Sequence, residues 1–188
     1  MKLSILIPTI DERRSSFKDL VLNLTAQAID HRAEEYIELI TLCDHGLLPI
    51  GAKRNELLAR ANGEYVAFFD DDDTPSNNYI QWAIKVIESN TDCGSLLGVI
   101  TFDGENPEVF EHSLKYSEWK TTTNHVKYER YPNHLNFIRR EIAQRFFFPE
   151  TNHGEDEDWS TQVHKSGLIK TEFTIPEVIY HYQFKTKK

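Results

Sequence analysis

The chain has 188 residues, 39% of them hydrophobic, which is enough for one soluble domain with a sizeable buried core. Its 30 acidic residues against 21 Lys and Arg give a formal charge of -9, which argues against general nucleic-acid binding because that needs a basic surface to displace phosphate counterions. A phosphate-bearing substrate stays open, since a bound cation reverses the local field.

Leu3-Ser4-Ile5-Leu6-Ile7-Pro8-Thr9 is β-rich and halted by proline, as expected of a first central strand. The apolar run is too short and too near Met1 for a signal core, and no membrane span is visible, so the expected location is cytoplasmic. Ser15 or Ser16 can cap a helix whose residues Phe17, Leu20, Val21, Leu24 and Ala28 fall on one face of a 3.6-residue period. Tyr36 to Cys43 is a second strand, followed by Asp44-His45-Gly46. A helix from Lys53 to Asn62 closes on Gly63, the usual C-terminal stop, and leads into a third strand. Cys43 and Cys93 lie in or beside apolar runs without metal-ligand spacing and are expected to be reduced and structural.

The third strand, Tyr65-Val66-Ala67-Phe68-Phe69, ends abruptly in Asp70-Asp71-Asp72-Asp73. Consecutive carboxylates repel and raise one another's pKa, so they are tolerable mainly where water or a hard cation neutralises them. A solvated acidic loop is the plain alternative. Strand and helix alternating in this order predict parallel pairing with right-handed crossovers, and ligands bind at the carboxyl edge of such a sheet. Asp11, Asp44 and Asp70 to Asp73 are therefore expected at one edge.

Beyond the aspartates, Thr74-Pro75-Ser76 predicts a turn and N-cap, and Ser76 to Asn90 a helix with Ile80, Ala83, Ile84 and Ile87 inward. Gly94 to Phe102 predicts a strand, 103 to 132 short strands and loops, Leu135 to Arg139 a strand, and Glu141 to Phe147 a short helix. Glu155 to Ser166 predicts a helix closed by Gly167, before late strands at Leu168 to Ile175 and Val178 to Phe184. Lys185, Lys187 and Lys188 make a small basic tail. No linker or repeat divides residues 1–188, so a single domain is expected.

Gly154-Glu155-Asp156-Glu157-Asp158 is a second acidic turn, at a helix start where the dipole favours acids. An acidic turn suited to a cation and a distant second one match a metal site and a separate general base. Here the chain resembles a family 2 glycosyltransferase of the GT-A fold. The likeness rests on Ile5-Leu6-Ile7-Pro8-Thr9, the G-x-x-R-N pattern at Gly51 to Asn55, Gly63 to Asp73, Arg139-Arg140 and Gly154-Glu155-Asp156.

The resemblance implies a Rossmann-like, mostly parallel sheet flanked by helices, a nucleotide-sugar donor with UDP expected, Mn²⁺ or Mg²⁺, and an inverting displacement onto a saccharide or other hydroxyl acceptor. It assigns Pro8 and Thr9 to the strand edge that meets the base, with Asp11 and Arg13 in the adjoining loop, and Asp44 to the base or ribose. Arg54 and Asn55 lie beside the donor, with Asp70 near the ribose and Asp71 next to it. Asp72 is the expected metal ligand and His181 a further group near the diphosphate or metal. Asp156 matches the general base, with Glu155 its competitor. Acceptor choice falls to residues 103–132 and the C-terminal strands, or to a partner protein. Two other classes remain: a non-catalytic nucleotide or cation-binding module, and a nucleotidyltransferase. The latter favours a glycine-rich phosphate loop, and Thr9 to Ser16 has no glycine.

Overall fold

The computed structural model describes residues 1–186, so Lys187 and Lys188 of the basic tail lie outside the described residues. Strands β1 (Leu3–Ile10), β2 (Ile37–Asp44) and β3 (Tyr65–Phe68) are parallel, with β1 in the middle. Beyond β3 come β10 (Ile138–Arg139), antiparallel, then β5 (Cys93–Gly94) and β11 (Glu172–Phe173), completing a sheet in the order β11-β5-β10-β3-β1-β2. Alternation along β1 and β3 decides what each face buries. Leu3, Ile5, Ile7, Tyr65, Ala67 and Phe69 join the core under α1 (Arg14–Asp30) and α3 (Tyr79–Ser89). Leu6, Val66 and Phe68 pack on the other side, against α2 (Ile50–Arg60), α4 (Arg140–Ala143) and α5 (Glu155–Ser166).

A second sheet, mixed in direction, has the order β4-β12-β6-β7-β9-β8. Its strands are β4 (Thr74–Pro75), β6 (Leu96–Phe102), β7 (Glu105–His112), β8 (Lys120–Thr121), β9 (Val126–Arg130) and β12 (Val178–Phe184). The strand expected at Gly94 to Phe102 is thus two strands in two sheets. The chain changes sheet at buried Ser95, whose hydroxyl accepts from the Ile175 amide at 2.8 Å. The expected strands at 135–139 and 168–175 shrink to two residues each, and the helix expected at 141–147 becomes α4.

Three local expectations are corrected. Helix α2 stops at Arg60 with Ala61 extended, so Gly63 is no helix cap. A Cβ on Gly63 would sit 2.5 Å from the Ser4 amide nitrogen, and this close approach to β1 is what requires glycine. Neither Ser15 nor Ser16 caps α1, because a 3₁₀ turn over Asp11–Arg13 runs directly into it, and the Ser16 hydroxyl donates to the Arg13 carbonyl at 3.0 Å. Ser76 does not cap α3, which begins at Tyr79; its carbonyl instead accepts from the Tyr79 amide and from Gln27 Nε2. Both cysteines are free, but Cys43 is exposed at the strand edge while Cys93 is buried.

Candidate active site

The register pairs Ile10 with Asp44 and Leu6 with Phe68, so the three parallel strands deliver their loops to one edge. The Asp73 amide donates to the Asp70 carbonyl at 3.1 Å and closes the aspartate turn. Its four carboxylates then meet different surroundings. Asp71, 2% exposed, accepts from the Thr9 hydroxyl at 2.6 Å and from Arg13 at 2.8 Å. Asp73 turns inward as well, accepting from the Tyr180 hydroxyl at 2.6 Å and the Gln183 amide at 2.8 Å. Burial, reinforced by the charge of Asp70, pushes the Asp73 carboxyl up to about 8 despite those donors. Asp70 and Asp72 keep 27% and 26% of their side chains exposed. Asp70 accepts from Arg54 at 3.1 Å, and Asp72 lies 3.1 Å from Arg13. Desolvation, with the neighbouring aspartates, raises the Asp72 pKa against the pull of Arg13.

Arg54 joins the two acidic turns. Buried on α2, it reaches Asp70 through Nη2 and lies 3.4 Å from Glu155 through Nε, with its guanidinium over the Phe68 and Phe148 rings. The rest of the G-x-x-R-N pattern holds the loop before α5. A Cβ on Gly51 would come within 1.8 Å of the Pro149 carbonyl oxygen, and the Gly51 amide donates to Thr151 O at 3.1 Å. Asn55 both donates to and accepts from the Phe148 backbone at 2.8 Å, so its amide braces that loop and does not face the cleft. Phe148 stacks on Trp159 of α5 at 4.9 Å, an aromatic pairing that contributes about 0.5–1.5 kcal/mol beyond burial.

Gly154, at φ 77°, turns the chain into α5 and sets Glu155 and Asp156 on the cleft wall. Glu155 is 5% exposed; burial raises its pKa although Arg54 opposes the shift. Asp156 is half-buried and faces the cleft, whereas Asp158 accepts from Gln162 outside it.

At the β2 end, Asp44 forms an ion pair with buried Lys53 and accepts from the Leu48 and Gly46 amides at 2.7 and 3.2 Å. Desolvation opposes them, yet these partners hold its carboxyl down to about 2. Lys53 also donates to the Thr9 carbonyl at 3.2 Å, tying α2 to β1. Asp11 pairs with His45 and lies 3.3 Å from Arg14. Pro8 is buried at the end of β1. Thr9, Asp11, Arg13, Asp44, Arg54, Asp70, Asp71, Asp72 and Asp156 therefore surround one edge. His181 does not join them. Tyr180 and Tyr182 point to the site side of β12, and alternation turns His181 to the other face, where it bonds the Ser76 hydroxyl at 3.0 Å.

Sequence reasoning missed Tyr180 and Lys53, while strands from residues 103–132 and β12, the regions expected to serve the acceptor, come together in the second sheet. The alternation in Ile179-Tyr180-His181-Tyr182 carried the signal for Tyr180; nothing local marked Lys53. Between the two sheets lies a cleft of about 560 Å³, walled by Arg54, Asp70, Asp73 and the start of α5 on one side and by inward residues of β6, β7, β9 and β12 on the other.

The model of a family described as glycosyl transferase family 2 matches residues 25–149. The chain belongs to this family. Among solved structures similar to this family 2 chain, S. aureus TarS 1-349 in complex with UDP-GlcNAc superposes with a TM-score of 0.67 at 16% identity, over 100% of this chain and 60% of that one. The same protein in complex with UDP gives 0.64 at 18% identity, over 97% and 60%. The catalytic domain of Drosophila beta1,4galactosyltransferase 7 in complex with xylobiose gives 0.54 at 13%, over 95% and 66%. These likenesses establish the α/β fold as GT-A. The chain spans 60% of the TarS 1-349 structures. No curated protein matches its sequence. No helix among the described residues is long and apolar enough to cross a membrane.

Proposed function

We propose that residues 1–188 form a metal-dependent, inverting glycosyltransferase domain that moves a sugar from a UDP-sugar to an acceptor hydroxyl. The observation that carries this reading is the meeting of two acidic turns, some 80 residues apart in sequence, across one cleft with Arg54 between them. The TarS complexes with UDP and UDP-GlcNAc favour UDP as the nucleotide.

The aspartate turn fits a divalent cation. Asp71 and Asp73 are engaged inward, which leaves Asp70 and Asp72 with accessible oxygens, and Mg²⁺ commonly takes one or two carboxylates plus substrate phosphates. Held there, Mg²⁺ or Mn²⁺ would neutralise charge on the departing diphosphate. No ready-made cluster of three His, Cys, Asp or Glu ligands exists among the described residues, so Asp70 and Asp72 would hold such a cation together with groups from outside the protein. The role given to His181 is not supported by its place on the far face of β12.

Asp156 is the general base. Its carboxylate accepts the acceptor's hydroxyl proton as the new bond to the anomeric carbon forms and the bond to the diphosphate oxygen breaks on the opposite face. A single displacement inverts that carbon. Asp44 and Lys53 fix the loop that receives the nucleotide, while Arg54 holds both turns at a set spacing.

The test is UDP release from a panel of UDP-sugars with Mn²⁺, for the wild type and Asp156→Asn. Transfer should fall by roughly 10²- to 10⁴-fold in the variant while UDP binding persists. Near-normal turnover in Asp156→Asn with loss in Glu155→Gln would move the base to Glu155. UDP binding without turnover on any donor would favour a non-catalytic module.

A further inference from the structure

We propose that the wall of the cleft built by the second sheet receives a saccharide acceptor carrying a negative charge, a phosphate or a carboxylate, and that Arg130 reads that charge. The inference rests on the glycosyl-transfer reading and adds the class of acceptor.

Side chains that alternate inward from β6, β7, β9 and β12 make this wall aromatic: Phe102, Phe110, Tyr128, Tyr182 and Phe184 all line the cleft. Tyr182 and Phe184 remain 38% and 42% exposed. Aromatic faces held beside water suit the C–H faces of a sugar ring, with a few placed polar groups setting orientation. Arg130 is such a group.

The cleft holds two guanidinium groups. Arg54 is committed to Asp70 and Glu155. Arg130 has no carboxylate within ion-pair distance among the described residues, and burial lowers its pKa, with Glu157 opposing the shift. Burying half of a guanidinium without an anion is unfavourable, so a further partner is expected. The side chain is already held in place. Nη1 donates to the Lys120 and Glu129 carbonyls at 2.8 and 2.9 Å, and the guanidinium lies over Trp119 at 5.0 Å and Tyr128 at 5.6 Å. Nε and Nη2 make no hydrogen bond among the described residues and are not sealed from solvent. That edge of the fork is the one that grips a carboxylate or phosphate with two parallel bonds. The adjoining Tyr131 stacks on His164 of α5 and its hydroxyl lies 2.6 Å from that of Thr161, so Arg130 sits toward the α5 end of the cleft that it lines together with Asp156. Asp72 and Arg13, at the donor end, do not line this wall.

The test titrates three probes into the protein: methyl β-glucuronide, glucose 6-phosphate and neutral methyl β-glucoside. Binding is followed by NMR at the Arg130 Nε–H and the Trp119 indole. Both anionic probes, or the one whose anion the site selects, should bind about ten-fold more tightly than the glucoside, with the preference shrinking in about 0.5 M salt. Arg130→Gln should erase that preference and leave the glucoside and UDP unchanged, while Arg130→Lys should keep part of it. Equal binding of all three probes, no binding of either anion, or an intact preference in Arg130→Gln would overturn the proposal. So would weakened UDP binding in Arg130→Gln, which would assign the residue to the donor. If Arg130→Gln does not fold, a preference in Arg130→Lys equal to that of the wild type is the overturning result. Loss of UDP binding by the wild type with the anion preference intact would instead sink the glycosyl-transfer reading alone.

Discussion

The four aspartates differ in burial by an order of magnitude, and this predicts opposite consequences for neighbouring substitutions. Asp71→Ala takes the short bond from the buried Thr9 hydroxyl, leaving it only the Ile10 carbonyl at 3.4 Å, and removes the acceptor of one Arg13 donor, which costs about 1–3 kcal/mol. Asp72→Ala removes a quarter-exposed carboxylate crowded by like charges, so urea unfolding should find its stability changed by less than about 1 kcal/mol. The metal-dependent part of UDP binding should vanish in Asp72→Ala and persist in Asp71→Ala; the reverse would shift the metal-binding register by one residue. His134 poses a different problem. It is 4% exposed, packs edge-on to Phe68 and Phe148, and neither ring nitrogen has a partner among the described residues. Burial, then the charges of Arg54 and His112, hold its pKa well below 6.5. A depressed histidine pKa gives a contribution that is complete above about 6.5 and is lost as pH falls, because only the unfolded chain takes up the proton. His134→Phe should therefore be neutral or stabilising at pH 7.5. Its advantage over wild type should grow by about 1.4 kcal/mol on moving to pH 5.5, read from urea unfolding at both pH values. A constant difference between the two would show that His134 ionises in the folded state.

At the scale of elements, helix α2 acts as a rigid bracket between strand edge and acidic turn. One face presents Gly51 and Asn55 to residues 148–151, and Arg54 reaches both acidic turns. Asn55→Ala would strip the Phe148 amide and carbonyl of their partners, lowering stability by about 2 kcal/mol and loosening the entry to α5. Turnover should fall more than UDP affinity, because Asp156 moves while the aspartate turn stays; steady-state kinetics beside UDP titration measure this, and an equal loss in both would count against the bracket. This division of labour also explains what could be read from the chain alone. Long elements with one clear period, α1, α5, β1 and β12, stand close to their expected bounds because local pattern decides them. The strand from Gly94 could not be seen to split at Ser95, since the break depends on bonds to Phe173 and Ile175, some 80 residues away. Gly51 and Asn55 were legible as a motif but not in their task, which is set by a loop distant in sequence. The aspartate run showed its chemistry through composition, whereas which two carboxylates face outward was settled by Thr9, Arg13 and Tyr180.

Across the whole molecule, the site lies on the seam between two sheets, and a single hydroxyl helps to close that seam. Tyr180 of the second sheet donates to Asp73, and its oxygen accepts from the Asp70 amide at 3.4 Å, so the aspartate turn is bonded to β12 as well as to β1 through Asp71 and Thr9. A ligand bound at this turn is therefore coupled to both sheets, and its binding energy should appear as global stability. The net charge of -9 sets the condition for that binding. A diphosphate approaching Asp70 and Asp72 meets like charge, and at ordinary ionic strength contacts within about 8 Å are only partly screened. A divalent cation on those carboxylates reverses the local sign. With Mn²⁺ or Mg²⁺ present, UDP at about 100 times its Kd should stabilise the fold by about 2.7 kcal/mol, which for a domain of this size raises the melting temperature by about 5–10 °C. In EDTA the same UDP concentration should give less than half that shift, and adding NaCl in place of the divalent ion should not restore it. Equal shifts with Mn²⁺ and with EDTA in differential scanning calorimetry would mean that UDP reaches the site without a cation, and the metal role of Asp70 and Asp72 would fall while the base at Asp156 could still stand.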